Sequence, residues 1–391
     1  MTNSALMATY SPPEVIFEYG KGSYLYSKSG EKFLDFISGI AVTGFGHAHP
    51  HLVQTLQEQA SKYWHSSNMF RVEAGEILAQ RLVKHSFADQ VFFGNSGAEA
   101  VEAGLKMMRR YHFDNGNPER YRIIGMNNSF HGRTLATIAA AGNPSHTKGF
   151  FKGDMGFDHV PFGDIEKLEA AITNETAGII LEPVQGEGGV LPAPDGYLKQ
   201  VRTLCDQHGI LLMVDEIQCG MGRTGKLFAY EWADIIPDIL ASAKGLGGGF
   251  PIGACLASQK VADCMVVGTH GSTFGGNPLA TAVGNAVLDL MLEDGFLETV
   301  QTHAKTLWNG LEDIQKLHPE LITNVQGKGL MLGLKCTISN AELISNLREN
   351  YLLAGRAGSD ILRLLPPLNL SDSEIDEALS ILDKTLKSIA G

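Results

Sequence analysis

No CxxC pair occurs among the five cysteines, Cys205, Cys219, Cys255, Cys264 and Cys336. Their odd number is no disulfide framework, and their spacing offers no zinc ribbon. Long apolar runs are missing too, since nothing approaches the roughly 18 uninterrupted apolar residues of a membrane span. The stretch MTNSALMATYSPPEVIFEYGKG has neither a basic segment followed by an apolar core nor an Arg/Ser-rich, acid-poor composition, so a cytoplasmic location is expected. Positive charge is scarce: 31 Lys and Arg stand against 43 Asp and Glu, a formal charge of −12. A nucleic-acid-binding surface needs the opposite excess, although a local basic pocket for a small anion stays open. What is present is a chain of 391 residues, 44% hydrophobic and 19% charged, long enough for a large core and more than one domain.

From about residue 90 to 256, short apolar runs (DQVFF, YRIIGM, AGIILEP, ILLMVDE, DILASA and GACLAS) alternate with helical stretches. Strands alternating with helices imply βαβ units and a mostly parallel sheet, and such sheets place ligands at the carboxyl ends of their strands. Outside this block, GSYLYS and KFLDFI flank a turn at Gly30, and the tail mixes helices with strands such as GLMLGLK. The division expected is an N-terminal segment over 1–45, a large domain over 46–310 and a C-terminal part over 311–391. Both chain ends would then build the smaller domain.

Chemistry-bearing residues follow the strands. After DQVFF, Ser96 and Glu99 form a capping box, with Arg109 and Arg110 expected at the far end of the helix. Ala98, Val101, Leu105 and Met108 keep helical spacing, and Gly97 lets an anion approach the free N–H groups of the helix start. By itself this is also an ordinary capped helix. After YRIIGM come Phe130, His131 and Arg133, an aromatic face beside a guanidinium, or a surface turn. Glu182 and Glu187 bracket the glycines after AGIIL. Asp215 ends an apolar run, where a carboxylate is costly unless it meets a cation. Lys244 also ends a run. Desolvation makes a buried lysine partly neutral, and a neutral amine can form a Schiff base with an aldehyde. A phosphate cradle, a stacking phenylalanine, a deep carboxylate and such a lysine at successive strand ends together fit pyridoxal phosphate.

Two other motifs compete. GMGRTG, Gly220 to Gly225, matches GxGxxG, but DEIQC separates it from the strand and KLFAYEW is no clear helix. GHAHPH spaces His47, His49 and His51 alternately, yet Pro50 and the surrounding glycines read as a turn without an acidic partner, so no metal site is expected.

The series LDFISGIAVTGFGHAHP, NSGAEA, FHGRT, LEPVQGEGG, DEIQCGMGRTG, SAKGLGGGFPIGA, THGSTFGGNPLA, GKGLMLG and RLLPPL runs in that order. From Phe33 to the tail the chain thus resembles the class-III, or ornithine-type, pyridoxal-phosphate aminotransferases. The resemblance implies an α/β fold-type-I architecture, a large domain around a mostly parallel sheet plus a smaller α/β domain. It implies that Lys244 is the Schiff-base lysine and proton carrier and that Ser96, Gly97 and Ala98 hold the phosphate. Phe130 would stack on the ring, Asp215 would pair with the pyridine N–H⁺ and Gln218 would touch the ring hydroxyl. Thr273 would reach the phosphate of a neighbouring subunit, with Ser272 beside it contacting substrate, which implies a homodimer with shared sites. Arg133 resembles the substrate-carboxylate arginine, and Arg363 one that takes 2-oxoglutarate while Glu187 masks it in the other half-reaction.

In ornithine δ-aminotransferases a tyrosine stands at the position of Ile40 and holds the free α-amino group, so Ile40 implies an acylated donor. The reaction expected is transfer of the δ-amino group of N²-acetyl-L-ornithine to 2-oxoglutarate, a step of arginine biosynthesis or its reverse. Succinylornithine, N-succinyl-diaminopimelate and ornithine are alternative donors. An aminomutase, a decarboxylase and a non-catalytic cofactor-binding protein are the rival classes. Val101 and Gly104 depart from the family pattern in the helix and bring its packing into question.

Overall fold

The computed structural model describes residues 5–390. Its centre is a seven-stranded sheet formed by β1 (Gln90–Gly94), β2 (Arg122–Met126), β3 (Phe157–Val160), β4 (Thr176–Leu181), β5 (Leu211–Asp215), β6 (Ile239–Ser242) and β7 (Gly253–Ala257), in the order β1-β7-β6-β5-β4-β2-β3. Every residue of β4, β5, β6 and β7 is buried. Helices cover both faces, which is why these strands read as nearly continuous apolar runs. Strands β2 to β6 pair in parallel, whereas β7 runs antiparallel to both β6 and β1. Six of the strands were expected from the sequence. The seventh, β3, is a four-residue edge strand with the sequence FDHV, too short and too polar to stand out.

Helix α1 (Gly97–Asp114) follows β1 and starts on Ser96, whose hydroxyl accepts the Glu99 N–H at 3.3 Å. The Glu99 carboxylate turns back to the Asn95 N–H, so the reciprocal bond of the expected capping box falls one residue early. The helix also runs to Asp114, which leaves Arg109 and Arg110 short of the last turn. Arg109 instead donates to the Tyr121 and Met155 carbonyls, and Arg110 pairs with Asp114 at 2.8 Å. The question raised by Gly104 has a steric answer: a Cβ there would lie 2.6 Å from the Met213 thioether and 3.2 Å from Ile239. Helix α1 packs so closely on β5 and β6 that a Cβ at this position would have to displace the Met213 side-chain end, and Val101 is fully buried nearby.

Two antiparallel-rich sheets flank the centre. In the first, Phe17–Lys21, Tyr24–Ser27 and Lys32–Asp35 form a meander, and Leu352–Leu353, from near the other chain end, adds in parallel to Lys32–Asp35. In the second, Ile322–Lys328, Met331–Cys336, Ile361–Leu364 and Gly355–Ala357 pair antiparallel. Phe36 joins them, its N–H donating to the Leu353 carbonyl and its carbonyl accepting the Leu365 N–H. Arg223, in GMGRTG, is buried with no carboxylate partner among the described residues. It donates to the Leu330 carbonyl at 3.1 Å and the Pro366 carbonyl at 2.5 Å. Burial pulls its pKa down to about 9. The GMGRTG loop leads into a short 3-10 turn, Ala229–Ala233, instead of the helix that a dinucleotide fold requires. The three histidines of GHAHPH go separate ways: His47 pairs with Asp35, His51 with Asp289, and His49 precedes the helix Pro50–Ala60 with its ring against Phe45.

Candidate active site

A cavity of about 320 Å³ opens at the carboxyl ends of the central strands. One wall is the start of α1, Ser96 to Ala98, where free N–H groups and the helix dipole favour an anion. Phe130, Asp215, Gln218 and Lys244 also line the cavity. Lys244 follows β6 and takes the left-handed torsion φ 42°. Its amine makes no hydrogen bond or ion pair with any described residue. Burial pulls its pKa down to about 8, helped by the positive charge of Arg363 and opposed by Glu187, Asp215 and Glu182.

Asp215, at the end of β5, is 3% exposed. One of its oxygens receives the Ile217 N–H at 3.0 Å and the other faces His131 Nδ1 at 2.7 Å. Burial alone would lower the pKa of His131, but the hydrogen bond and charge of Asp215 outweigh it and hold the pKa above its ordinary value. The sequence grouped His131 with Phe130 and gave it no further role. Here it is the hydrogen-bond partner that makes a buried Asp215 tolerable.

Glu182 is a second group whose role the sequence left open. Its carboxylate accepts the Phe130 N–H at 2.9 Å and the Gly186 N–H at 3.0 Å, fixing the backbone under the aromatic ring. Burial raises its pKa to about 7, against the pull of His131. The signal was the one that marked Asp215, an acid directly after a buried apolar strand.

Arg363 lies on Ile361–Leu364, 2% exposed. Its Nη1 meets Glu187 Oε1 at 2.5 Å and Gln218 Oε1 at 3.1 Å, so it reaches the cavity through Gln218. The remaining expected residues are spread more widely. Arg133 is exposed, its guanidinium 5.4 Å from the Phe130 ring centre. The Ser272 hydroxyl accepts from the Nδ2 of Asn95, which lines the cavity. Thr273 is exposed outside the cavity wall, and Ile40 is 39% exposed two residues before the cavity-lining Val42.

The profile of the family described as aminotransferase class-III matches residues 6–386. An acetylornithine aminotransferase of Mesorhizobium japonicum is 54% identical over 390 residues, covering 100% of this chain and 98% of its own. Among solved structures, the ornithine aminotransferase of Toxoplasma gondii superimposes with a TM-score of 0.95 at 30% identity, covering 99% of this chain and 93% of its own. The N-acetylornithine aminotransferase of Stenotrophomonas maltophilia does so with a TM-score of 0.86 at 40% identity, covering 97% of each chain. Similarity that runs end to end, on a fold with its cavity at the strand ends, decides the family: the chain belongs to the class-III aminotransferases.

Proposed function

We propose that this enzyme transfers the δ-amino group of N²-acetyl-L-ornithine to 2-oxoglutarate, giving N-acetylglutamate semialdehyde and glutamate, with pyridoxal 5'-phosphate as cofactor. One observation carries the reading: an unpaired lysine amine, a deep carboxylate and a helix start face one cavity. The residues present fit the cofactor. Ser96, Gly97 and Ala98 offer an anion seat, Phe130 an aromatic wall, Asp215 a carboxylate and Lys244 a free amine, while His131 Nε2 is buried without a partner. When bound, the cofactor supplies an aldehyde that takes up an amine and a ring that accepts an electron pair.

The chain's own groups then divide the work. Asp215 would hold a proton at the ring nitrogen, an attraction of about 4 kcal/mol for charges ~4 Å apart at an effective dielectric of ~20. Lys244, half neutral near pH 8, takes the proton from the δ-carbon of the donor. Arg133 and Ser272 would contact substrate, and Gln218 would face the ring hydroxyl. Arg363 is masked by Glu187 in one half-reaction and pairs with the carboxylate of 2-oxoglutarate in the other, so one pocket serves two different substrates. Ile40 offers no partner to a free α-amino group, which favours an acylated donor, and the full-length likeness to acetylornithine aminotransferases supports the same choice.

A homodimer with shared sites belongs to the proposal, as does the division into residues 1–45, 46–310 and 311–391. Exposed Trp64, Met69, Phe70 and Phe274 support the dimer. They lie together with Thr273, because the His65 ring lies 5.4 Å from that of Phe274 and Asn68 donates to the Ser272 carbonyl. The test is the visible spectrum of cofactor-loaded protein without any keto acid. N-acetylornithine should bleach the yellow band, ornithine should barely do so, and 2-oxoglutarate should restore it. Equal bleaching by ornithine would move the donor assignment, and a protein that never turns yellow with added cofactor would overturn the reading of Lys244.

A further inference from the structure

The histidine that opens GHAHP has a use that neither metal binding nor the amino transfer above accounts for. His47 Nε2 lies 2.8 Å from one oxygen of Asp35. The other oxygen accepts the Ile37 and Ser38 N–H groups, each at 2.9 Å. The four residues that follow, Ser38, Gly39, Ile40 and Ala41, all adopt left-handed torsions, with φ of 48°, 61°, 66° and 61°. Only one of them is glycine. Each of the others costs about 1–2 kcal/mol in that conformation, and strain of this kind persists only where the surroundings enforce it.

The enforcing contacts lie on both sides of the turn. His47 is itself anchored, its N–H donating to the Gly22 carbonyl at 2.7 Å and its carbonyl accepting the Gly22 N–H at 3.0 Å. Gly20 has no Cβ, which would lie 2.5 Å from that of His47. On the other side, Ile37 lies against Gly355, the register partner of Arg363. The turn also packs on Lys244–Gly247, and Val42 directly after it lines the cavity.

We propose that Asp35 and His47 are positioning residues: together they latch the left-handed turn and so hold Ile40 and Val42 as the wall against which the acylated tail of the donor binds. The inference rests on the donor reading above. A wall that contacts a non-reacting tail contributes the same binding in ground and transition states, so its loss raises KM and leaves kcat.

The test uses the cofactor-loaded dimer with His47→Ala and His47→Gln, the glutamine amide being able to donate the same bond to Asp35. His47→Ala is expected to raise the KM for N-acetylornithine about tenfold, with kcat within about twofold of wild type. Its preference for N-acetylornithine over ornithine should fall in proportion, and His47→Gln should recover most of both. Wild-type KM and preference in a folded, cofactor-loaded His47→Ala overturn the latch, as does an equal loss in both variants. If His47→Ala does not fold, His47→Phe decides, since a phenyl ring keeps the bulk but can neither donate to nor accept from Asp35; an unchanged KM there overturns the proposal. Wild-type protein inert toward N-acetylornithine would defeat the donor reading instead. The latch is then judged by the same split between KM and kcat with the donor that does react.

Discussion

Lys244 is held in a backbone conformation that L-residues avoid, in surroundings that disfavour its charge. Its pKa of about 8 lies below the ~10.5 of an unfolded lysine. Between those values the unfolded chain binds more protons than the folded one, so stability rises with pH across that window. Below pH 8 the full cost of burying the charge is present. Cofactor-free wild type is therefore expected to gain on the order of 2 kcal/mol over Lys244→Met as the pH rises from 8 to ~10.5, a figure reduced for the amine's opening to the cavity. Urea unfolding of the two proteins across that range is the measurement. Parallel stability curves would mean a hydrated amine. Lys244 and Asp215 were legible in the sequence because a charged residue that ends an apolar run is costly unless it is used. The left-handed turn was not, since Ser38, Ile40 and Ala41 carry no turn chemistry and are forced into place by Asp35 and His47, contacts that no spacing rule reveals.

Helix α1 shows the competition between local preference and packing. Gly104 gives up about 1 kcal/mol of helix propensity relative to alanine. An added methyl would instead meet Met213 and Ile239, and overpacking costs about 1–3 kcal/mol. Gly104→Ala should then destabilise by about 1 kcal/mol net, because the Met213 thioether is flexible enough to yield part of the space. Chemical denaturation checks the sign: a more stable variant would mean that β5 moves aside freely. Strand existence was readable from apolar runs, but direction was not. The run that became β7 looks like its neighbours, and only tertiary pairing makes it antiparallel to both. Helix length was misjudged for a related reason, since Arg109 was read as end-of-helix charge while its partners are the distant Tyr121 and Met155 carbonyls.

At the scale of the whole molecule, the proposed dimer would complete what one chain leaves open. Thr273 and Ser272 were legible only through the family resemblance, and the folded chain leaves Thr273 outside the cavity wall. In the proposed dimer each site draws Lys244 from one subunit and Thr273 from the other. Lys244→Ala and Thr273→Ala subunits should each be defective alone. Random mixing, followed by reassembly, makes half the dimers mixed with one intact site each, so activity should return to about one quarter of wild type. No recovery would place both residues in one subunit's site.

Arg223 has a consequence at this scale as well. Its two carbonyl partners, Leu330 and Pro366, flank the strands Met331–Cys336 and Ile361–Leu364. The sheet that carries Arg363 cannot swing away from the GMGRTG loop without stranding a bare guanidinium in an apolar interior, at a cost of several kcal/mol. In the proposed reaction, exchange between donor and acceptor would therefore fall to Glu187, whose side chain is 38% exposed. A side-chain flip is fast against the microseconds to milliseconds of a hinge, so in the proposed reaction substrate alternation would not have to wait for the sheet to move.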